Sequence, residues 1–122
     1  NHTTWVTGEF FRLRQHCQEF RPDVVELVGL LDYLDRKRAA LFLKMVFNVL
    51  NPEGILITGN IAPNPERPYV EKGVNWPPMV YREDEELSKL LKDAGFDDVR
   101  IQREPLGIHM VGVARKAQES MV

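Results

Sequence analysis

The chain lacks the residues that mark several specialised classes of protein. Cys17 is the single cysteine among 122 residues, so no disulfide can form within the chain. The three histidines stand far apart and do not have the spacing of a zinc site. We therefore expect a reducing, cytoplasmic setting and no bound metal.

Charge and hydropathy argue against two further kinds of partner. The 16 basic and 18 acidic side chains give a net charge of −2, so no overall field favours nucleic acid. No apolar run approaches the roughly 20 residues of a transmembrane helix, so we expect no membrane partner. What remains is a composition of 43% hydrophobic and 28% charged residues, which is typical of a globular protein. At this length one hydrophobic core is the expected arrangement, and we predict a single domain over residues 1–122.

Short runs rich in β-branched and apolar residues predict five strands. These strands cover residues 3–10, 23–31, 55–60, 97–105 and 109–116. Leu106 and Gly107 form the predicted turn between the last two strands.

Helical periodicity is found between the strands. A helix or helical turn is expected from Phe10 to Phe20, and acidic residues followed by Gly95 indicate another helix over residues 83–96. The longest helix follows Asp35, which we predict to be its N-cap. Its apolar face comprises Ala39, Phe42, Leu43, Val46, Val49 and Leu50, and is widened by Leu41, Met45 and Phe47.

The order of these elements predicts an α/β fold whose parallel strands are covered by helices on both faces. Ligands in such sheets bind at the carboxyl ends of the strands. Two of these ends, residues 29–35 and 59–62, are expected to lie side by side and form the rim of a crevice. The segment 61–82 contains five of the eight prolines and three aromatic residues. We predict that this segment is a lid over the crevice, with Trp76 near Tyr33.

Three segments of the sequence, in this order along the chain, resemble a known family. They are "DVVELVGLLDYLD", "LNPEGILITGN" and "LLKDAGFDDVRI". Over about residues 23–116 the chain resembles the C-terminal half of a class I S-adenosylmethionine-dependent methyltransferase, although Glu53 replaces a glycine of the family's turn before its fifth strand. Within that superfamily, "GLLDYL", "GNIAPNPERPYVE" and "NWPPMVYR" are most similar to enzymes that methylate the carboxylate of 3-hydroxy fatty acids.

The resemblance implies a partial Rossmann-like sheet, mostly parallel, with an antiparallel C-terminal strand. It also implies S-adenosylmethionine as the cofactor, contacted by Glu9, Gly29 and Leu30, with Glu9 at a position where aspartate is usual. The substrate-binding residues that it implies are Asp32, Tyr33, Asn60, Trp76, Tyr81 and Arg82. Methyl transfer depends mostly on positioning, and a carboxylate acceptor is already ionised near neutral pH, so we predict no catalytic acid or base.

Other roles are open for most of these residues. Gly29 suits close packing at a strand end, and Asn60 suits the closing of a turn. Arg82 could form a salt bridge with Glu85 or Glu86 instead of holding a substrate carboxylate. The aromatic side chains could cap the core or anchor the long loop, and these are Tyr33, Trp76 and Tyr81.

The family's Gly-rich cofactor turn and its ribose-binding acid have no counterpart in the sequence. No two of the eight glycines stand as G-x-G, and the likeness starts near the family's third strand. We therefore expect the chain alone to bind S-adenosylmethionine weakly or not at all, and a second polypeptide or second copy to supply the missing contacts. The alternative is a non-enzymatic binding or assembly module built on the same half-fold.

An unpaired strand edge leads to a further expectation. In the family's strand order, the edge of residues 24–30 would lack its neighbour, and exposed edges of this kind invite pairing. Either the N-terminal "TTWVT" fills the place or a second copy covers it. We favour a homodimer, because Trp5, Phe10 and Phe11 add apolar surface.

Overall fold

A four-stranded sheet forms the centre of the computed structural model, which describes residues 3–17 and 20–117. The strands are β1 (Val24–Leu27), β2 (Ile55–Ile61), β3 (Asp98–Arg103) and β4 (His109–Arg115), arranged in the order β1-β2-β4-β3. β1 and β2 are parallel, whereas β4 is antiparallel to both of its neighbours. Three strands therefore share one direction and the C-terminal strand is reversed, which confirms the predicted fold class.

Three helices accompany the sheet: α1 (Leu13–His16), α2 (Arg36–Val49) and α3 (Asp84–Ala94). A 3₁₀ turn, Phe10–Arg12, leads into α1. The predicted N-cap of α2 is confirmed, since Asp35 Oδ1 accepts a hydrogen bond of 2.8 Å from the backbone N–H of Arg38. No helix within the described ranges is long and apolar enough to cross a lipid bilayer.

The core lies between one face of the sheet and the helices α2 and α3. Alternate residues of β4 point into it, and a side chain added at Gly112 would contact Leu87 and Leu91 of α3. The predicted core face of α2 is buried. Leu41 is the exception: it is 56% exposed, so the prediction that it widens the apolar face is wrong.

The opposite face of the sheet is bare among the described residues. Val24, Val111 and Val113 lie on this face and are exposed, although each stands in a strand. The prediction of helices on both faces is therefore wrong for this part of the chain. The physical reason is that α2 and α3 pack against each other on the same side, and the turn before α1 packs Phe10 and Phe11 against Phe42 of α2.

The first predicted strand does not form. Residues 3–9 have no strand structure, Trp5 is 91% exposed, and β1 pairs only with β2 among the described residues. A run of β-branched and aromatic residues forms a strand only where a partner completes its hydrogen bonds, and β propensity alone does not supply one. The proposal that "TTWVT" fills the place beside β1 is therefore wrong.

β1 is also shorter than predicted, because the chain turns soon after Leu27. Gly29 has a φ of 79°, a left-handed conformation that favours glycine, and Leu31–Tyr33 forms a 3₁₀ turn. The strand end is thus converted into a compact turn that leads directly to the N-cap of α2.

Candidate ligand-binding crevice at the strand ends

Three segments of the chain meet at the carboxyl ends of β1 and β2. The turn Leu31–Tyr33 follows β1, and Ile61 is the last residue of β2. His109 begins β4 directly opposite Ile61, so the turn between β3 and β4 lies at the same end of the sheet.

Arg82 holds two of these segments together from behind. Its side chain is buried, with 2% of the residue exposed. One terminal nitrogen donates to the Leu31 carbonyl at 2.8 Å and to Asn60 Oδ1 at 2.6 Å, and the other donates to the Leu34 carbonyl at 2.6 Å. We call this group the Arg82 clamp: Arg82, Asn60 and the carbonyls of Leu31 and Leu34.

The charge of the clamp is stabilised without a direct ion pair. Burial lowers the pKa of the Arg82 guanidinium, while the Glu86, Asp32 and Asp35 carboxylates raise it. The hydrogen bonds of Arg82 go to carbonyl oxygens and not to the Glu85 or Glu86 carboxylates considered from the sequence. Its guanidinium is therefore occupied by oxygens of the protein itself.

Asn60 and Asp32 fix the end of the long loop. Asn60 Nδ2 donates to the carbonyls of Ile61 and Val80, each at 2.9 Å. Asp32 Oδ1 accepts from the Ile61 N–H at 2.6 Å, and the Asp32 carbonyl accepts from the Val80 N–H, also at 2.6 Å. Both side chains are buried, so the loop returns to the sheet at a well-bonded point.

The segment of residues 62–81, here called the lid, lies over the strand ends. It contains one short π-helical turn, Tyr69–Gly73. The indole Nε1 of Trp76 donates a hydrogen bond of 2.7 Å to the hydroxyl of Tyr33. This contact confirms the prediction that Trp76 lies near Tyr33.

The lid and the strand ends line an open crevice of about 460 Å³, which lies in the range of roughly 300 to 1,000 Å³ that small-molecule sites occupy. Most of its surface is apolar. Its lining residues are Asp32, Tyr33, Ile61, Glu66, Val70, Val74, Trp76, Met79, Ile108 and His109. Two depressions of about 550 Å³ lie elsewhere, beside α1 and beside α3, but they lack the position at the strand ends where ligands of such sheets bind.

The turn between β3 and β4 forms a side wall of the crevice, and hydrogen bonds to Glu104 hold this turn in place. The Glu104 carboxylate accepts hydrogen bonds from the backbone N–H groups of Leu106, at 2.8 Å, of Ile108, and of His109, at 3.1 Å. These bonds, led by that from Leu106, lower the pKa of Glu104. Glu104 thereby fixes the backbone that carries Ile108 and His109 into the crevice lining.

Five of the six predicted substrate residues fall into two groups. Asp32, Tyr33 and Trp76 line the crevice. Asn60 and Arg82 lie behind it in the clamp, where they support its back wall. Their roles as direct ligand contacts remain predictions.

Tyr81 belongs to neither group. The guanidinium of Arg67 lies over its ring, 4.1 Å from the ring centre. Its hydroxyl is buried and has no hydrogen-bond partner among the described residues. The arrangement favours an anchoring role for the ring, and a contact with substrate stays a prediction.

The predicted cofactor residues are arranged as follows. A Cβ added at Gly29 would have nothing within 4 Å, so close packing is not the reason for this glycine among the described residues. Its positive φ is a sufficient reason, and the open space beside it would also admit a ligand close to the backbone. Leu30 is half-buried against the core. Glu9 is exposed before the first helical turn, 3.9 Å from Nε of Arg12.

The sequence did not single out several lining residues. Glu66, Val70, Val74 and Met79 lie in the lid, whose position was predicted without assigning its inward residues. His109, one of the three histidines that lack the spacing of a metal site, also lines the crevice. The signal that could have found it is strand register, since an antiparallel β4 places its first residue opposite the end of β2.

Solved structures of other proteins share this arrangement of strands. A protein described as a possible exported protein from Bordetella parapertussis superposes with a TM-score of 0.73 at 20% identity, over 80% of this chain. An O-methyltransferase family protein from Burkholderia thailandensis gives 0.69 at 18% identity over 94%. Human N-acetylserotonin methyltransferase in complex with SAM gives 0.66 at 19% identity over 91%.

The fold of the chain is methyltransferase-like, with a partial Rossmann-like sheet. The chain spans 39%, 36% and 33% of those three proteins, in the order given, so its methyltransferase-like fold corresponds to about a third of each. A scan against models of protein families found no match, and a search of curated protein sequences found none either.

Proposed function

We propose that the chain takes part in methyl transfer from S-adenosylmethionine to a small apolar acid, such as a 3-hydroxy fatty acid. The observation that carries the proposal is the apolar crevice at the carboxyl ends of β1 and β2 in a methyltransferase-like fold. The acceptor subtype rests on the sequence resemblance. The crevice supports it by offering apolar walls for an acyl chain.

In this proposal the residues of the chain position the acceptor and do not exchange protons with it. When bound, S-adenosylmethionine would supply an activated methyl group, and its proposed contacts are the open space beside Gly29 and the neighbouring Leu30. The lid excludes water from the acyl chain, and the Arg82 clamp keeps the turn that carries Tyr33 in place. A carboxylate is already ionised near neutral pH and needs no base.

The remaining cofactor contacts are proposed to come from a second polypeptide segment or a second copy. We expect the chain alone to bind S-adenosylmethionine weakly or not at all, because Gly29, Leu30 and Glu9 are the only contacts predicted for it. Isothermal titration calorimetry checks this directly. Micromolar binding by a monomer would contradict the expectation.

The activity is tested by adding the N-terminal half of a related methyltransferase to the purified chain, with S-adenosylmethionine and 3-hydroxydecanoate. Formation of the methyl ester, followed by mass spectrometry, is the expected result. Trp76→Ala should reduce it, because Trp76 lines the crevice, whereas the control Trp5→Phe changes an exposed side chain and should not. If no ester forms and S-adenosylmethionine stays unbound in the mixture, the proposal fails.

A binding or assembly module is the second candidate, and the bare sheet face favours it. Among the described residues, β1 has no neighbour on its outer edge, and this edge with the exposed Val24 and Val28 is suited to pairing with a second copy. We therefore propose a twofold dimer through this edge. Sedimentation at micromolar concentration should give twice the monomer mass, and Val24→Lys should reduce it to the monomer mass. A parent chain that sediments as a monomer would contradict the proposed dimer.

A further inference from the structure

We infer that the crevice binds an acid with its hydrocarbon tail inside and its carboxylate outside, at the mouth. The inference rests on the proposed function, since it concerns the same crevice, and it assigns the orientation of the acceptor. It follows from the sign and position of the charges around the crevice.

The ionisable residues that line the crevice are two acids and one histidine. Asp32 and Glu66 are the acids, His109 is the histidine, and no lysine or arginine is among the lining residues. A carboxylate that entered the crevice would therefore meet like charges. At separations of about 6 Å in a partly dry site, such repulsion exceeds thermal energy several-fold.

Two arginines near the crevice already have partners within the protein. Arg82 lies behind the crevice, where its hydrogen bonds go to Leu31, Leu34 and Asn60. Arg67 follows Glu66 in sequence, but its guanidinium pairs with Glu71 at 2.7 Å. Neither guanidinium is available to neutralise a carboxylate inside the crevice without breaking these contacts.

The remaining lining suits a hydrocarbon tail. Its aliphatic side chains come from three directions: the end of β2, the lid, and the turn before β4. They are Ile61, Val70, Met79 and Ile108. At the mouth, Tyr33, Val74 and Trp76 are 44%, 65% and 50% exposed, so a carboxylate there keeps its contact with water.

Three ligands of equal chain length test the orientation. Decanoate has an apolar tail, decanedioate carries a second carboxylate at the tail, and 10-aminodecanoate carries an ammonium group there. Binding is measured through the fluorescence of Trp76 in a Trp5→Phe chain, which has no other tryptophan.

We expect decanoate and 10-aminodecanoate to bind, and decanedioate to bind at least about tenfold more weakly than either, because its tail carboxylate must enter beside Asp32 and Glu66. The comparison between the two charged tails separates the sign of the charge from the cost of burying any charge. Decanedioate binding as tightly as decanoate would overturn the inference, and so would the absence of any fluorescence response to all three ligands.

A variant of the lining sharpens the result. Glu66→Gln should bring the affinity for decanedioate several-fold closer to that for decanoate, whereas Glu85→Gln, an exposed acid of α3, should leave the ratio unchanged. If the ratio of the affinities for decanedioate and decanoate is unchanged in both variants, Glu66 does not repel the tail carboxylate.

The outcome is separable from that of the methyl-transfer assay. The expected binding order without ester formation would remove the proposed function and keep the orientation. Ester formation with the reverse binding order would do the opposite.

Discussion

The back wall and the mouth of the crevice are held by contacts of different kinds. At the back, Arg82 is 2% exposed and its guanidinium makes three hydrogen bonds to protein oxygens. At the mouth, Tyr33 and Trp76 are 44% and 50% exposed and share one hydrogen bond. Buried polar contacts are costly to lose, whereas exposed ones exchange readily with water. The difference indicates a fixed wall and a mouth that opens at little cost.

The largest effect is expected from breaking the back wall. Arg82→Met removes the donor of the Leu34 carbonyl and of Asn60 Oδ1, and leaves the Leu31 carbonyl with the Leu34 N–H alone. The free energy of unfolding should therefore fall by about 3–5 kcal/mol. Urea denaturation measures the loss. The matched control is Arg103→Met, because Arg103 makes exposed bonds to Glu83 and Asp84, and it should cost less than about 1 kcal/mol. Equal losses would contradict the distinction between wall and surface.

A smaller effect is expected at Asp32. Asp32→Ala removes the acceptor of the buried Ile61 N–H and should cost about 1–3 kcal/mol. Asp32→Asn keeps an oxygen in the same place and should cost less. Thermal unfolding of the two variants checks the order. Equal losses would show that the charge of Asp32, and not its acceptor oxygen, stabilises the site, because both variants remove the charge.

At the mouth, Tyr33→Phe should change stability by less than about 1 kcal/mol, because the bond that it removes is exposed to water. Its effect should appear instead in the fluorescence of Trp76, which should become more accessible to a quencher such as acrylamide. Measurements in a Trp5→Phe background isolate this signal. Unchanged quenching would show that the hydrogen bond does not hold the mouth closed.

The smallest effect concerns the side wall and depends on pH. Backbone N–H groups lower the pKa of Glu104 in the folded chain, so its contribution to stability is full above the ordinary glutamate pKa and is lost as the pH falls through the lower, folded value. Below about pH 5, the stability of the Glu104→Gln chain should therefore fall less than the stability of the parent chain. Parallel stability curves for the two chains would contradict this role.

The sequence predicted the elements that pack against the core and the position of the crevice. The periodicity of α2, the cap at Asp35 and the Trp76–Tyr33 contact were all predictable, because each depends on local patterns or on the rule for strand ends. The bare sheet face and the missing strand at residues 3–9 were not. Propensity within a segment does not tell whether another segment lies beside it.

The contacts of the Arg82 clamp were also not predictable from the sequence. Arg82 stands next to acidic residues in the sequence, which suggested a surface salt bridge. Its partners are the carbonyls of Leu31 and Leu34, about 50 residues away in the chain, and Asn60. Every residue has a backbone carbonyl, so the sequence does not indicate which carbonyls a side chain will contact. Only the folded structure shows these contacts.

Whether the crevice is the ligand site is tested most directly by titrating the methyl-labelled chain with decanoate and recording its NMR spectrum. If the crevice binds the acyl chain, the shifted methyl signals should be those of Ile61, Val70, Val74, Met79 and Ile108. The methyl groups of Val111 and Val113 lie on the bare sheet face and should stay unchanged. Shifts confined to Val111 and Val113, with the crevice signals unmoved, would contradict the account.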